Sequence, residues 1–177
     1  MNKFILPIIA LFYLGNNTIE TNTKSISIIE SSKTNEMIYK KDDLYDLKIK
    51  IETKNNKHSL VFSMELKNDS YFMSPNAKGN FTGKFYYDLG TYDKIGFNKG
   101  VIETPISIKE IDVYSNESVN WVRKNTTYEQ GLNLKSKEDF EIYGRVKFTI
   151  EPRCTLEIIP FMISYKSGKL TIKEAKC

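Results

Sequence analysis

Histidine and cysteine are nearly missing from these 177 residues: His58 is the one histidine, and Cys154 and Cys177 are the two cysteines. That scarcity excludes a dense disulfide scaffold and any Cys/His zinc centre built within the chain. Arginine is almost as rare, limited to Arg123, Arg145 and Arg153. The positive charge therefore rests on lysine, which lacks the planar fork suited to bidentate phosphate recognition. Nine glycines and five prolines are too few for a collagen-like or low-complexity chain. The sequence also has no Gly-rich phosphate loop, no G-x-S-x-G and no H-E-x-x-H, so the common enzyme templates fail and no cofactor or metal is expected.

What is present describes a globular protein. Hydrophobic residues make up 40% and charged residues 27%, enough for one core-forming domain at this length. The net charge of +4 arises from 26 basic and 22 acidic residues spread along the whole chain, which favours solubility and not a nucleic-acid footprint.

The amino terminus has the form of an export signal. Met1-Asn2-Lys3 supplies a short positive region, and Phe4 to Leu14 is an apolar run of signal-core length. That run is well short of the ~20 residues that span a bilayer, and Pro7 interrupts it. The expectation is a signal peptide over 1–17, export to the periplasm or medium, and no stable membrane span after its removal. A Thr-, Ser- and Asn-rich linker over 18–43 follows, with one short strand at Ser25 to Ile29, and 44–177 forms the folded domain.

From Leu44 onward the hydrophobic period is two. Leu47, Ile49 and Ile51 alternate with Lys48, Lys50 and Glu52; a turn at Asn55-Asn56-Lys57-His58 leads to Leu60, Phe62, Met64 and Leu66, predicting a hairpin. Phe81, Gly83, Phe85, Tyr87 and Leu89 form another alternating set, and further strands are predicted around Ile106 to Val113, Val119 to Arg123 and Thr126 to Leu134. The clearest strand is Phe140 to Ile150, with Phe140, Ile142, Gly144, Val146, Phe148 and Ile150 on one face. Strands that are apolar on one side need cover on that side only, so the prediction is all-β, an antiparallel β-sandwich.

Few residues in this pattern could carry chemistry. His58 falls in the predicted polar turn with no second histidine to form a metal site or Ser/His pair. Asp42-Asp43 and Glu138-Asp139 lie in charged turns. The clusters Tyr71-Phe72-Met73 and Phe85-Tyr86-Tyr87 could form an aromatic recognition surface, but core packing is the favoured account. Five N-x-S/T triplets, at Asn16, Asn68, Asn80, Asn116 and Asn125, are explained by composition. Cys154 and Cys177 leave three readings open. They could close a disulfide loop, worth on the order of 3 kcal/mol by chain entropy. Cys154 could be a catalytic thiol activated by neighbouring Arg153, with Cys177 resolving the intermediate. Or Cys154 is simply buried and Cys177 frayed.

A family resemblance bears on this choice. The stretches Asn68-Asp69-Ser70-Tyr71-Phe72-Met73-Ser74-Pro75, Thr127-Tyr128-Glu129-Gln130-Gly131-Leu132 and Phe140 to Ile150, followed by Cys154, resemble the N-terminal domain of the bacterial thiol:disulfide interchange protein DsbD, in its shorter stand-alone form. The resemblance covers 67–172. It implies an immunoglobulin-like sandwich in the periplasm that passes reducing equivalents to exported thiol proteins. That family ends the corresponding strand in two cysteines and a pair of prolines, whereas Thr155-Leu156-Glu157-Ile158-Ile159-Pro160 here supplies neither. Exchange needs a resolving thiol, so the fold transfers better than the activity. The resulting expectation is a non-catalytic interaction module of the cell envelope whose partner is another envelope or exported protein. Thiol:disulfide exchange through Cys154, with Cys177 or a partner cysteine, is the alternative.

Overall fold

A computed structural model of the chain describes residues 37–112 and 116–175. The expected signal peptide, the Ser25 to Ile29 strand, most of the linker and Cys177 lie outside the described residues.

The alternating segments form strands because each must bury one face and keep its backbone groups paired. In chain order they are β1 (Met37–Lys41), β2 (Tyr45–Lys54), β3 (Lys57–Leu66), β4 (Tyr71–Met73), β5 (Tyr86–Leu89), β6 (Ile95–Thr104), β7 (Ile108–Ile111), β8 (Ser118–Val122), β9 (Thr126–Leu134), β10 (Phe140–Glu151), β11 (Thr155–Lys166) and β12 (Lys169–Glu174). Two sheets result. One is five-stranded in the order β1-β2-β3-β9-β6; the other runs β12-β11-β10-β4-β8-β7, with β5 also paired to β10. All strand pairs are antiparallel, and the chain passes repeatedly between the sheets, giving the immunoglobulin-like sandwich architecture.

The inward faces meet in one core. Leu47, Ile49, Ile51, Leu60 and Phe62 from the first sheet pack against Ile142, Val146, Phe148, Ile150, Phe161 and Ile163 from the second. Aromatic rings fill its centre: Phe85 stacks on Tyr128 at 4.9 Å and on Phe148 at 5.6 Å, and Tyr45 meets Phe148 edge-on at 5.1 Å. Burying each such side chain contributes about 1.5–3 kcal/mol, so the core dominates the stability.

Several expectations need correcting. The hairpin turn is only Asn55-Asn56, both with positive φ (50° and 60°), the geometry of a two-residue type I′ turn. His58 accordingly sits within β3 opposite Thr53, half-buried, with its Nδ1 2.8 Å from Thr53 Oγ1. The predicted strand from Phe81 is a strand only over Tyr86–Leu89, because Gly83 turns through φ 87° where the loop crosses close over Thr149. The sheet also begins earlier than the domain start read from the sequence: β1 lies within the stretch assigned to the linker, with Ile38 buried and Met37 to Lys41 paired to β2. The sequence alternation does not single out β4, β6, β11 or β12 as separate strands.

Candidate functional site

The turn between β10 and β11 carries Cys154. Pro152, Arg153 and Cys154 form it, and Cys154 holds φ at 54°, the left-handed region a non-glycine residue enters only in tight turns. The thiol is exposed, which corrects the reading of a buried core cysteine, and it is free among the described residues. Pro152 and Arg153 beside it are exposed as well.

Arg153 fixes that hairpin. Its guanidinium reaches Asp42 at 3.1 Å and Glu157 at 3.0 Å, and its Nε donates to Thr155 Oγ1 at 3.0 Å. Tyr45 then donates its hydroxyl to Glu157 at 2.9 Å. Burial lifts the Tyr45 phenol well above its usual range, and its bond to Glu157 adds to this. Burial also acts to raise the Asp42 carboxyl, but the Leu44 amide and Arg153 outweigh it and hold Asp42 below the ordinary aspartate range. Two carboxylates thus neutralise the arginine expected to activate Cys154. Next to this cluster, Lys67 reaches Asp46 at 2.6 Å and Tyr39 donates to the same carboxylate at 2.8 Å, so Asp46 is held low by Lys67 first and Tyr39 second.

Cys177 lies outside the described residues, so its pairing with Cys154 stays an expectation of the sequence.

Cys154 stands on the rim of an open groove of about 590 Å³ on the outer face of the seven-stranded sheet. Met73, Phe81, Trp121 and Leu156 give it an apolar lining; Lys84, Lys147, Glu151 and Tyr86 bring polar atoms to it. The alternation of β4 explains the apolar end: Phe72 points into the main core, so Tyr71 and Met73 point outward. There Met73, Ala77 and Val119 form a second small core covered by Phe81 and Trp121. Tyr71 meets Trp121 edge-on at 5.1 Å and carries the Arg123 guanidinium 4.1 Å above its ring, with Glu110 3.1 Å from Arg123. The two aromatic clusters noted in the sequence are thus divided: Phe72 and Phe85 are core, while Tyr71 and Tyr86 belong to the outer surface.

In and around the groove the same face exposes several large apolar side chains, with Lys147 and the Arg145–Asp88 ion pair among them. Tyr86, Tyr143, Leu156 and Ile158 are 50%, 60%, 56% and 53% exposed, and they project from adjacent strands β5, β10 and β11. Nothing in the sequence joined these residues, because three separate strands supply them. A smaller apolar hollow of about 100 Å³ lies between Ile106, Ile108, Trp121 and Lys124 at the β7 edge.

The other candidates have structural roles. Asp139 accepts the Ser167 amide, Glu138 pairs with Lys94, the Asn68 amide donates to the Asp43 carbonyl and Asn125 accepts the Leu66 amide. Glu103, unnoticed in the sequence, is a buried carboxylate. It accepts hydrogen bonds from Tyr128 (3.0 Å), Ser74 (3.1 Å), Asn76 (2.9 Å) and Ser107 (3.3 Å), tying β6 to β9 and to the loop after β4. Burial, and then Glu103, push the Tyr128 phenol far above its usual range, so it acts as a fixed donor. Among the described residues no group of three or more His, Cys, Asp or Glu side chains gathers as a metal site.

No family model matches the chain, and no curated protein matches it. Among solved structures it is similar to the GAE domain of GGA2p from Saccharomyces cerevisiae, with 6% sequence identity and a TM-score of 0.36 over 75% of this chain and 97% of that one.

Proposed function

We propose that this chain is an exported, non-catalytic interaction module of the cell envelope, and that it binds another envelope or exported protein through the outer face of the seven-stranded sheet. The observation that carries the reading is the set of half-exposed Tyr86, Tyr143, Leu156 and Ile158 around the groove. Clustered exposed aromatics and aliphatics of this kind mark association surfaces more than they mark solvated ones. The amino-terminal Lys3 and Phe4 to Leu14 pattern and the likeness of 67–172 to the DsbD N-terminal domain support export.

Photo-cross-linking in cells tests it. A cross-linker at Leu156 or Ile158 should capture a discrete protein that one at Lys57, on the other sheet, does not; Ile158→Asp should remove that product without moving the unfolding midpoint. Identical products from both sheets would refute the reading.

The exposure of Cys154 at the rim of the same groove favours one second reading, thiol:disulfide exchange with a partner. The Cys154 thiolate would attack a partner disulfide, forming a mixed disulfide and releasing the partner's second sulfur as a thiolate; a third partner cysteine then attacks the partner sulfur of the mixed disulfide, leaving a rearranged partner disulfide and freeing the Cys154 thiolate. Alkylation trapping should then find Cys154 in a mixed disulfide, and Cys154→Ser should abolish activity at unchanged stability. Full activity in Cys154→Ser would eliminate this reading and leave the first intact.

A further inference from the structure

Every charged group of the groove can be named: Lys84, Lys147 and Glu151. Lys84 is held by the Ala77 carbonyl at 3.2 Å, and neither lysine has a carboxylate within ion-pair distance among the described residues. By contrast, Arg123, Arg145 and Arg153 on the surrounding surface are each matched to an acid. Lys147 is half-buried and lines the groove, flanked across the sheet by Tyr86 and Ile158. The groove therefore has a largely apolar lining and one net positive charge. A ligand that fits both features presents a bulky apolar side chain beside a carboxylate.

We infer that the groove binds a short peptide segment of the partner protein in which a Phe or Leu side chain, seated against Met73, Phe81, Trp121 and Leu156, lies next to Asp or Glu residues that pair with Lys147 and Lys84. This rests on the reading of the outer face as an interaction surface and names the chemistry of what that face takes.

Trp121 lines the groove and is the sole tryptophan, so its emission reports on this site directly. Full-length chain is titrated with a capped peptide carrying Phe and Leu flanked by Asp and Glu, and with the same peptide carrying Lys in place of each acid. The acidic peptide should change Trp121 emission saturably and bind at least tenfold more tightly than the basic one, with affinity falling as salt rises. Lys147→Glu, at an outward site, should reverse the preference, while Lys57→Glu on the other sheet should not. Equal affinities, an unreversed preference in Lys147→Glu, no response to either peptide, a response only to anionic lipid vesicles, or self-association of the chain at the groove would each overturn the inference. If any of these is found while Leu156 and Ile158 still cross-link a discrete protein, the charge chemistry assigned here is wrong and the interaction face stands. Loss of the cross-links as well would remove both.

Discussion

Gly144 lies at the middle of β10 with its α-carbon facing the core, where a neighbouring side chain takes the space a Cβ would need. The ring of Phe161, its cross-strand partner, folds over it, and the Asp88 carbonyl lies 2.8 Å from the position of that Cβ. Both neighbours are fixed, one by core packing and the other by the β5 ladder, so neither can withdraw. Gly144→Ala should lower the unfolding free energy by about 1–3 kcal/mol in a urea titration. Glu103 poses the opposite problem, a side chain whose removal strands its partners. In Glu103→Ala the buried hydroxyls of Tyr128 and Ser74 lose their shared acceptor, and so does the amide of the more exposed Asn76. The loss should be on the order of 3 kcal/mol in the same titration, well above that of a surface substitution. At this scale His58 marks the limit of sequence reading: the dipeptide Asn55-Asn56 was enough to close the turn, and two more residues joined the strand.

Strands differ in how openly their sequences display them. Every second residue is buried over Tyr45 to Ile51 in β2, Leu60 to Met64 in β3 and Phe140 to Ile150 in β10, and the alternation identifies these strands and their faces. In β6 the period breaks between Phe97 and Val101, where Asn98, Lys99 and Gly100 form a bulge and Gly100 takes φ 79°. In β1 only Ile38 is buried, as suits a short edge strand whose outer residues serve solubility. Edge and corner elements are instead held by ion pairs, which makes them sensitive to acid. Asp42, Asp46, Glu52 and Glu141 are all held below their ordinary values, Asp46 by Lys67 and Tyr39, Glu52 by Lys50 and Lys54, and Glu141 by Lys166 and Lys173. A carboxyl lowered in the folded state stabilises it above the unfolded value, and that stabilisation is lost as pH falls through the folded one. Stability should therefore decline from about pH 5 downward, and Asp46→Asn should flatten the decline, as followed by the urea midpoint against pH. His58, lowered by burial, acts in the same direction at higher pH: its protonation favours the unfolded chain, so stability begins to fall below about pH 6.5.

For the molecule as a whole, the groove is a property of the fold and of no single segment, since Met73, Phe81, Trp121, Lys147 and Leu156 come from β4, a loop, β8, β10 and β11. Sequence alone determined the two-layer antiparallel sandwich, because period-two alternation is written locally and each strand with one oily face demands a facing sheet. It also determined that Cys154 follows the best strand. Only the tertiary structure decided that this thiol is exposed, that Arg153 is neutralised by Asp42 and Glu157, and that outward residues of five segments join into one largely apolar groove with lysines in its lining. The reason is physical: alternation says which side of a strand a residue takes, whereas which residues become neighbours across a sheet depends on strand order and register, set by packing among segments far apart in the chain.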